Sequence, residues 1–164
     1  MADVTNSKLF KTIGDIQHLK DVLVVLVKTE WNASIVDELE NGCKRIFDQY
    51  KIQTKTIVVP GAIEIAFAIN QFATKNNTVC AYIALGCVVR GGTPHFEYVC
   101  QSVTQGITQL NLSLSVPVIF GLLTVDNNEQ AKERTGGIHG HKGEEAAITA
   151  IKMILLNQQI MKGK

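Results

Sequence analysis

Val22-Leu23-Val24-Val25-Leu26-Val27 is six apolar residues in a row with no polar position among them. A strand with one wet face alternates apolar and polar side chains. An unbroken run rich in branched residues therefore predicts a strand covered on both faces, the environment of a parallel sheet between helices. The rest of the chain repeats the theme with Thr56-Ile57-Val58-Val59, Val79 to Leu85 and Val118 to Leu123. Helical patterns separate these runs. From Asn32, a good N-cap, Ile35, Val36, Leu39, Cys43, Ile46, Phe47 and Tyr50 recur at spacings of three and four. A second helix is expected from the break at Pro60-Gly61 to about Ala73, and a third from Pro94 to about Asn111. A short helix over 128–133 and a glycine-rich loop, Gly136 to Gly143, precede the last helix, Glu144 to about Ile160. That helix carries Ala147, Ile148, Ile151, Ile154 and Leu155 on its inner face. The alternation predicts an α/β fold, a three-layer αβα sandwich around a four-stranded parallel sheet. Four strands make a small sheet, so the irregular arm of residues 1–20 is expected to add a strand, its own or a neighbour's. Residues 21–164 read as a single domain, with no repeat, low-complexity tract or linker.

Composition narrows the partners. The net charge is +1 with no basic run, which argues against nucleic acid. The longest apolar runs are of strand length, far short of the roughly 20 residues of a membrane-spanning helix. The start, MADVTNSKLFKTIGD, lacks the build of a signal peptide, so a cytoplasmic location is expected. An apolar fraction of 46% against 19% charged residues permits extensive self-association. Cys43, Cys80, Cys87 and Cys100 show no CxxC spacing. Cys43 and Cys80 read as small core residues, and a packing role also suits Cys87, which has no His or Cys partner nearby in sequence.

The stretch from Leu85 to Tyr98 concentrates the chemistry. Gly91 and Gly92 leave backbone N–H groups unshielded, and the helix that follows adds a first turn of donors and a positive dipole end. Such a turn suits an anion such as phosphate. Thr93 is a good N-cap and Pro94 fits the first helical position, which places His95 in the first turn. An imidazole beside a phosphate cradle suits proton transfer near neutral pH. In a parallel sheet, ligands bind beyond the carboxyl ends of the strands. The other strand exits supply Trp31 and Asn32, the Pro60-to-Glu64 turn, and Thr124 to Asp126.

Each of these residues has a plainer reading. Trp31 either covers a helix end or stacks on a flat ring, and Glu64 suits a first helical turn for dipole reasons alone. Arg90 is a substrate ligand or an ion-pair partner. Arg134 and Lys142 bracket the second glycine-rich segment, as solvated charges or as a phosphate-binding pair. His139 and His141 form an H-x-H pair, but no third ligand stands at metal spacing, so no metal is expected. His18, in the arm, is given no role. There is neither a G-x-G-x-x-G after the first strand nor a G-x-x-x-x-G-K-[ST]. The residues alone thus indicate a small α/β enzyme acting on a phosphorylated compound.

Four ordered segments carry a resemblance. They are Val59-Pro60-Gly61-Ala62-Ile63-Glu64-Ile65, the stretch Gly86 to Val99, Pro117 to Thr124, and Glu129-Gln130-Ala131 with Glu133-Arg134 and Lys142-Gly143. Together they resemble the 6,7-dimethyl-8-ribityllumazine synthase family of riboflavin biosynthesis, from about Val22 to the final helix. The resemblance implies a flavodoxin-like fold. It also implies condensation of 5-amino-6-(D-ribitylamino)uracil with 3,4-dihydroxy-2-butanone 4-phosphate, with loss of phosphate and water and without a cofactor. Trp31 would stack on the pyrimidine, Ala62, Ile63 and Glu64 would engage the ring and ribityl chain, and Cys87, Val88 and Val89 would line the same pocket. Gly92, Thr93 and Arg134 would hold the phosphate with Lys142 nearby, and His95 would move protons. Phe120 would enter from an adjacent subunit of a homopentamer. Twelve pentamers can close into an icosahedral shell, and riboflavin synthase is a candidate partner.

The chain departs from the family at three places. Trp31 stands where many members have Phe, Ala66 replaces a frequent Pro, and His141 occupies a position that is often Asn. The short loop between Arg134 and Lys142 resembles that of shell-forming members. Two other readings use the same scaffold: a flavin- or lumazine-binding protein with little turnover, and a container whose role is the shell. The presence of His95, Arg134 and Lys142 together favours catalysis over both.

Overall fold

The computed structural model describes residues 7–10, 13, 19 and 21–163. The first apolar run forms β1 (Leu23–Thr29), in which Val24, Val25, Leu26 and Val27 are all fully buried. The chain continues through α1 (Ala33–Gln49), β2 (Gln53–Val59), α2 (Glu64–Ala73), β3 (Val79–Val89), α3 (His95–Ser113), β4 (Val118–Val125) and α4 (Asn128–Lys132). A small antiparallel hairpin, β5 (Thr135–Gly137) and β6 (Gly140–His141), leads into α5 (Lys142–Met161). The long strands form one parallel sheet in the order β2-β1-β3-β4. Helices cover both faces, giving the expected flavodoxin-like α/β sandwich.

The unbroken apolar runs follow from this burial. On one face of β1, Val24 and Leu26 pack with Leu39 and Phe47 of α1 and with Ala147 and Ile151 of α5. On the other, Val25 and Val27 pack with Ile65 and Ile69 of α2 and with Val103 and Ile107 of α3. Val24 to Val27 are thus divided between the two cores, and the polar residues of the strand, Lys28 and Thr29, stand at its carboxyl end.

Several boundaries differ from the sequence reading. β2 begins at Gln53 rather than Thr56, because Gln53, Thr54 and Lys55 pair with Leu23, Val24 and Val25 on an edge strand that tolerates polar residues. β3 runs past Leu85 to Val89, where Gly86 to Val89 pair with Leu122 to Val125 of β4. α2 starts at Glu64, α3 spans His95–Ser113, and the glycine-rich loop folds into the β5–β6 hairpin. Most of the amino-terminal arm, with His18 and any strand the arm adds, lies outside the described residues. Leu9 and Ile13 pack against the α1/α5 core.

One polar cluster ties the α1 layer to the sheet. Glu40 of α1 is 6 % exposed. Its carboxylate accepts from Lys28 Nζ at 2.6 Å, Thr56 Oγ1 at 2.6 Å and Lys44 Nζ at 2.6 Å, while Lys28 also reaches Asp37 at 2.8 Å. Burial alone would raise the pKa of Glu40, but the bonds from Lys28, Lys44 and Thr56 outweigh it and hold the pKa at about 2. A depressed carboxylate pKa stabilises the fold above the unfolded-state value near 4.5, and this stabilisation is lost as pH falls toward about 2. Glu40→Gln should therefore lower stability by about 2–3 kcal/mol at neutral pH. In urea titrations, the variant should lose less stability than wild type across that acid range, and parallel acid limbs would refute the assignment.

Candidate active site

In the order β2-β1-β3-β4 the connections from β1 and β3 leave toward opposite ends of the sheet, which makes the gap between these two strands the topological switch point. An open cleft of about 390 Å³ lies at their carboxyl ends, lined by residues that include Trp31, Ala62, Ile63, Glu64, Val88 and His95. Cys87 and Val89 of β3 complete the predicted set around this cleft. Eight residues from four segments of the sequence therefore meet in one place.

The backbone explains how Trp31 is presented. Beyond β1, Glu30 N donates to Val59 O at 2.9 Å and Trp31 N to Pro60 O at 3.4 Å, extending the contact with β2. Thr29 Oγ1 donates to Trp31 O at 3.1 Å. The indole itself is 73 % exposed, so it is not buried as a cover for a helix end. Glu64 opens α2, as its charge favours. A Cβ at Gly61 would lie 2.9 Å from Glu64 Oε2, so the carboxylate folds back over this turn beside the indole.

Asn32 does something the sequence reading missed. It takes the cap position of α1 as expected, but with φ 58°, ψ 40° and no side-chain cap bond. Its Nδ2 instead donates to Cys87 O at 2.7 Å, tying the exit of β1 to the wall formed by β3. Val99, one helical turn beyond His95, also lines the cleft and was overlooked. The i, i+4 spacing from His95 was the available signal for it.

The loop from Arg90 to Pro94 leads into α3. Pro94 takes the cap position, so Thr93 stands one residue outside the helix rather than at its cap. Gly91 and Gly92 are exposed, and a Cβ at either would meet nothing within 4 Å. They leave open backbone here rather than a left-handed turn, since neither has positive φ. Arg90 takes the ion-pair reading. Its Nε donates to Asp126 at 2.9 Å, its Nη1 pairs with Glu97, and the guanidinium lies 4.1 Å from the Phe96 ring centroid. The clamp fixes the first turn of α3, with His95 on it, against the end of β4.

Phe120, Arg134 and Lys142 lie elsewhere. They line a trough of about 700 Å³ along β4 and α5, which shares no lining residue with the cleft. Arg134 is 9 % exposed and its Nη1 donates to Gln130 O at 2.8 Å. Lys142 Nζ pairs with Glu145 at 2.7 and 2.8 Å. Neither cation is a freely solvated charge.

His139 and His141 do not converge. His139 Nε2 lies 3.7 Å from Glu133, whereas His141 is buried and its Nδ1 accepts from Glu144 N at 3.4 Å. Among the described residues no group of three His, Cys, Asp or Glu side chains is placed to hold a metal ion. Burial pushes the Cys43 thiol up to about 12 and the Cys87 thiol up to about 11, consistent with packing roles. Cys80 is only half-buried.

A flavodoxin-like sandwich with a pocket at its switch point, ringed by an indole, a carboxylate and an imidazole, defines a class of α/β proteins that handle small molecules. The comparisons make the class particular. The family model described as 6,7-dimethyl-8-ribityllumazine synthase matches residues 21–158. A protein of that name from Parabacteroides distasonis is 45% identical over 148 residues, covering 88% of this chain and 90% of its own. One from Porphyromonas gingivalis is 47% identical over 137 residues, covering 82% of this chain and 84% of its own. The one from Bacteroides fragilis is 46% identical, covering 79% and 92%. The chain belongs to the 6,7-dimethyl-8-ribityllumazine synthase family.

The two raised thiols make a test of the cleft. At about pH 8, where a thiol of ordinary acidity is partly ionised, iodoacetamide should leave Cys43 and Cys87 of the native protein unmodified. Peptide mass spectrometry after quenching reads this directly, and rapid label at Cys87 would mean that the β3 wall is more open than described.

Proposed function

We propose that this protein condenses 5-amino-6-(D-ribitylamino)uracil with 3,4-dihydroxy-2-butanone 4-phosphate, giving 6,7-dimethyl-8-ribityllumazine, phosphate and water. The gathering of Trp31, Glu64 and His95 at one switch-point cleft, in a chain of this family, carries the reading.

Trp31 offers its exposed face to the pyrimidine. The backbone at Ala62 and Ile63, the Glu64 carboxylate and the Cys87–Val89 wall fix the ring and the ribityl chain. Holding the amine against the ketone replaces much of the barrier of a bimolecular condensation. His95 moves protons during imine formation, phosphate elimination and ring closure. Gly92 and Thr93 supply open backbone, and Arg134 and Lys142 positive charge, where phosphate leaves. This chemistry requires no redox step and no cofactor.

The separation of the two half-sites supports a site shared between subunits. The cleft lies beyond β1, β2 and β3, whereas Phe120, Arg134 and Lys142 belong to the open β4 edge. A neighbour's β4 edge brought to this cleft in a homopentamer would complete it. We take twelve such pentamers as the assembly, in a cytoplasmic enzyme with riboflavin synthase as a candidate partner. No helix among the described residues is long and apolar enough to cross a membrane.

Purified protein mixed with both substrates should form fluorescent lumazine after thorough chelation, and His95→Ala should slow turnover by roughly 10²-fold. A folded His95→Ala protein with unchanged turnover would remove the imidazole from the mechanism. Sharing is tested by complementation between the impaired His95→Ala and Arg134→Ala subunits, dissociated and reassembled together. Hybrid rings should regain part of the activity, because some interfaces then hold both wild-type groups. Verified hybrids no more active than either parent would exclude the shared site.

A further inference from the structure

His141 stands where α1, the hairpin and α5 meet, and it is 8 % exposed. A Cβ added at Gly42 of α1 would lie 2.1 Å from His141 Cε1, so only glycine leaves room for the ring. The same junction brings α5 onto α1 backbone to backbone, since a Cβ at Gly143 would lie 2.1 Å from Leu39 O. On the α5 side, His141 Nδ1 accepts the Glu144 amide and caps the helix. Its Nε2 is buried and has no hydrogen-bond partner among the described residues. A ring nitrogen that accepts carries no proton, so the neutral imidazole holds its proton on Nε2.

The segment that this ring anchors carries both cations of the trough. Lys142 follows His141 directly, and its backbone N–H donates to Arg134 O at 2.8 Å. His141 also pairs with Thr135 across the hairpin, one residue beyond Arg134. The positions of Arg134 and Lys142 therefore depend on one buried ring.

We propose that His141 is a positioning residue whose neutral imidazole pins the start of α5, and that its protonation loosens Arg134 and Lys142 and weakens phosphate binding. This rests on the assignment of those cations to the phosphate. A proton on Nδ1 replaces the cap's acceptor with a donor facing the Glu144 N–H, and sets a positive charge at the positive end of the α5 dipole. Glu144 of α5 and Arg45 and Glu38 of α1 face the ring, and the β5 strand, Thr135–Gly137, presents no ionisable side chain. Burial lowers the pKa from its ordinary 6.5, Glu144 and Glu38 oppose that, and Arg45 adds to it, with a net depression. The pinned form is thus complete above about 6.5 and is lost as pH falls through the lower folded-state value.

His141→Asn separates the pin from its titration, because Asn keeps a capping oxygen but has no proton to gain in this range. Steady-state kinetics of both proteins from about pH 7.5 to 5.5 should show the wild-type KM for the phosphorylated substrate rising about three- to tenfold more than that of the variant. The kcat ratio should stay constant, since His141 lines neither the cleft nor the trough and the substitution leaves both sets of lining residues in place. Amide exchange at Glu144 should accelerate on acidification in wild type only. Equal KM profiles, or equal exchange, overturn the proposal. Arg134→Ala serves as the control at neutral pH. If it leaves this KM unchanged, the phosphate assignment fails and the proposal falls with it, while the exchange data still show whether the ring pins the helix.

Discussion

The structure hangs on β3, an eleven-residue strand paired on both sides and covered on both faces. A strand in that position has no freedom to slip, because a shift of one residue would exchange its two cores, Ala81, Ile83 and Leu85 on one face and Tyr82 and Ala84 on the other. Its register fixes how far it projects beyond β1, whose last pairing with it is Lys28 with Leu85. The projecting end, Gly86 to Val89, is free of β1 but still held by β4. That overhang is the wall of the cleft. Burial in the middle of the sheet thus determines geometry at its edge.

The ligand end divides between precision and openness. On the precise side, Asn32 ties β1 to β3, and the Arg90 clamp joins Glu97, Asp126 and Phe96. On the open side, Trp31, Glu64, His95 and the glycine loop remain exposed toward the cleft mouth. Trp31, Glu64 and His95 are therefore carried on bonded backbone, with no side-chain hydrogen bond of their own among the described residues. The clamp does not reduce to its ion pairs, since exposed pairs of this kind are individually weak. Its contribution is to join the start of α3 to the exit of β4.

Much of this was legible in the sequence, for identifiable reasons. β1, β3 and β4 were readable because strands buried on both faces leave unbroken apolar runs. The half of β2 that is polar was not, since Gln53 to Lys55 look like a loop until β1 pairs with them. Gly86 hid the end of β3, although the glycine is there because Leu122 lies 3.1 Å from where a Cβ would be. The cleft residues were recoverable because they occupy strand exits, whose convergence follows from parallel topology. Phe120, Arg134 and Lys142 were recoverable only as types, because which cavity they line depends on sheet order. Asn32 holds the cap position of α1 as its sequence suggests, but cap rules are local and do not reveal that its side chain bonds a carbonyl 55 residues away.

Asn32 also restricts what evolution or engineering can place at this corner. Its backbone sits in the left-handed region, which glycine enters freely, asparagine tolerates and branched residues resist. Its side chain must also donate a proton to a carbonyl, which glycine cannot do and an ionised aspartate would oppose. The two demands intersect at essentially one amino acid. Recombining the first strand and helix with another scaffold of this architecture therefore transfers a lock whose keyhole, the Cys87 carbonyl, must be supplied by the recipient.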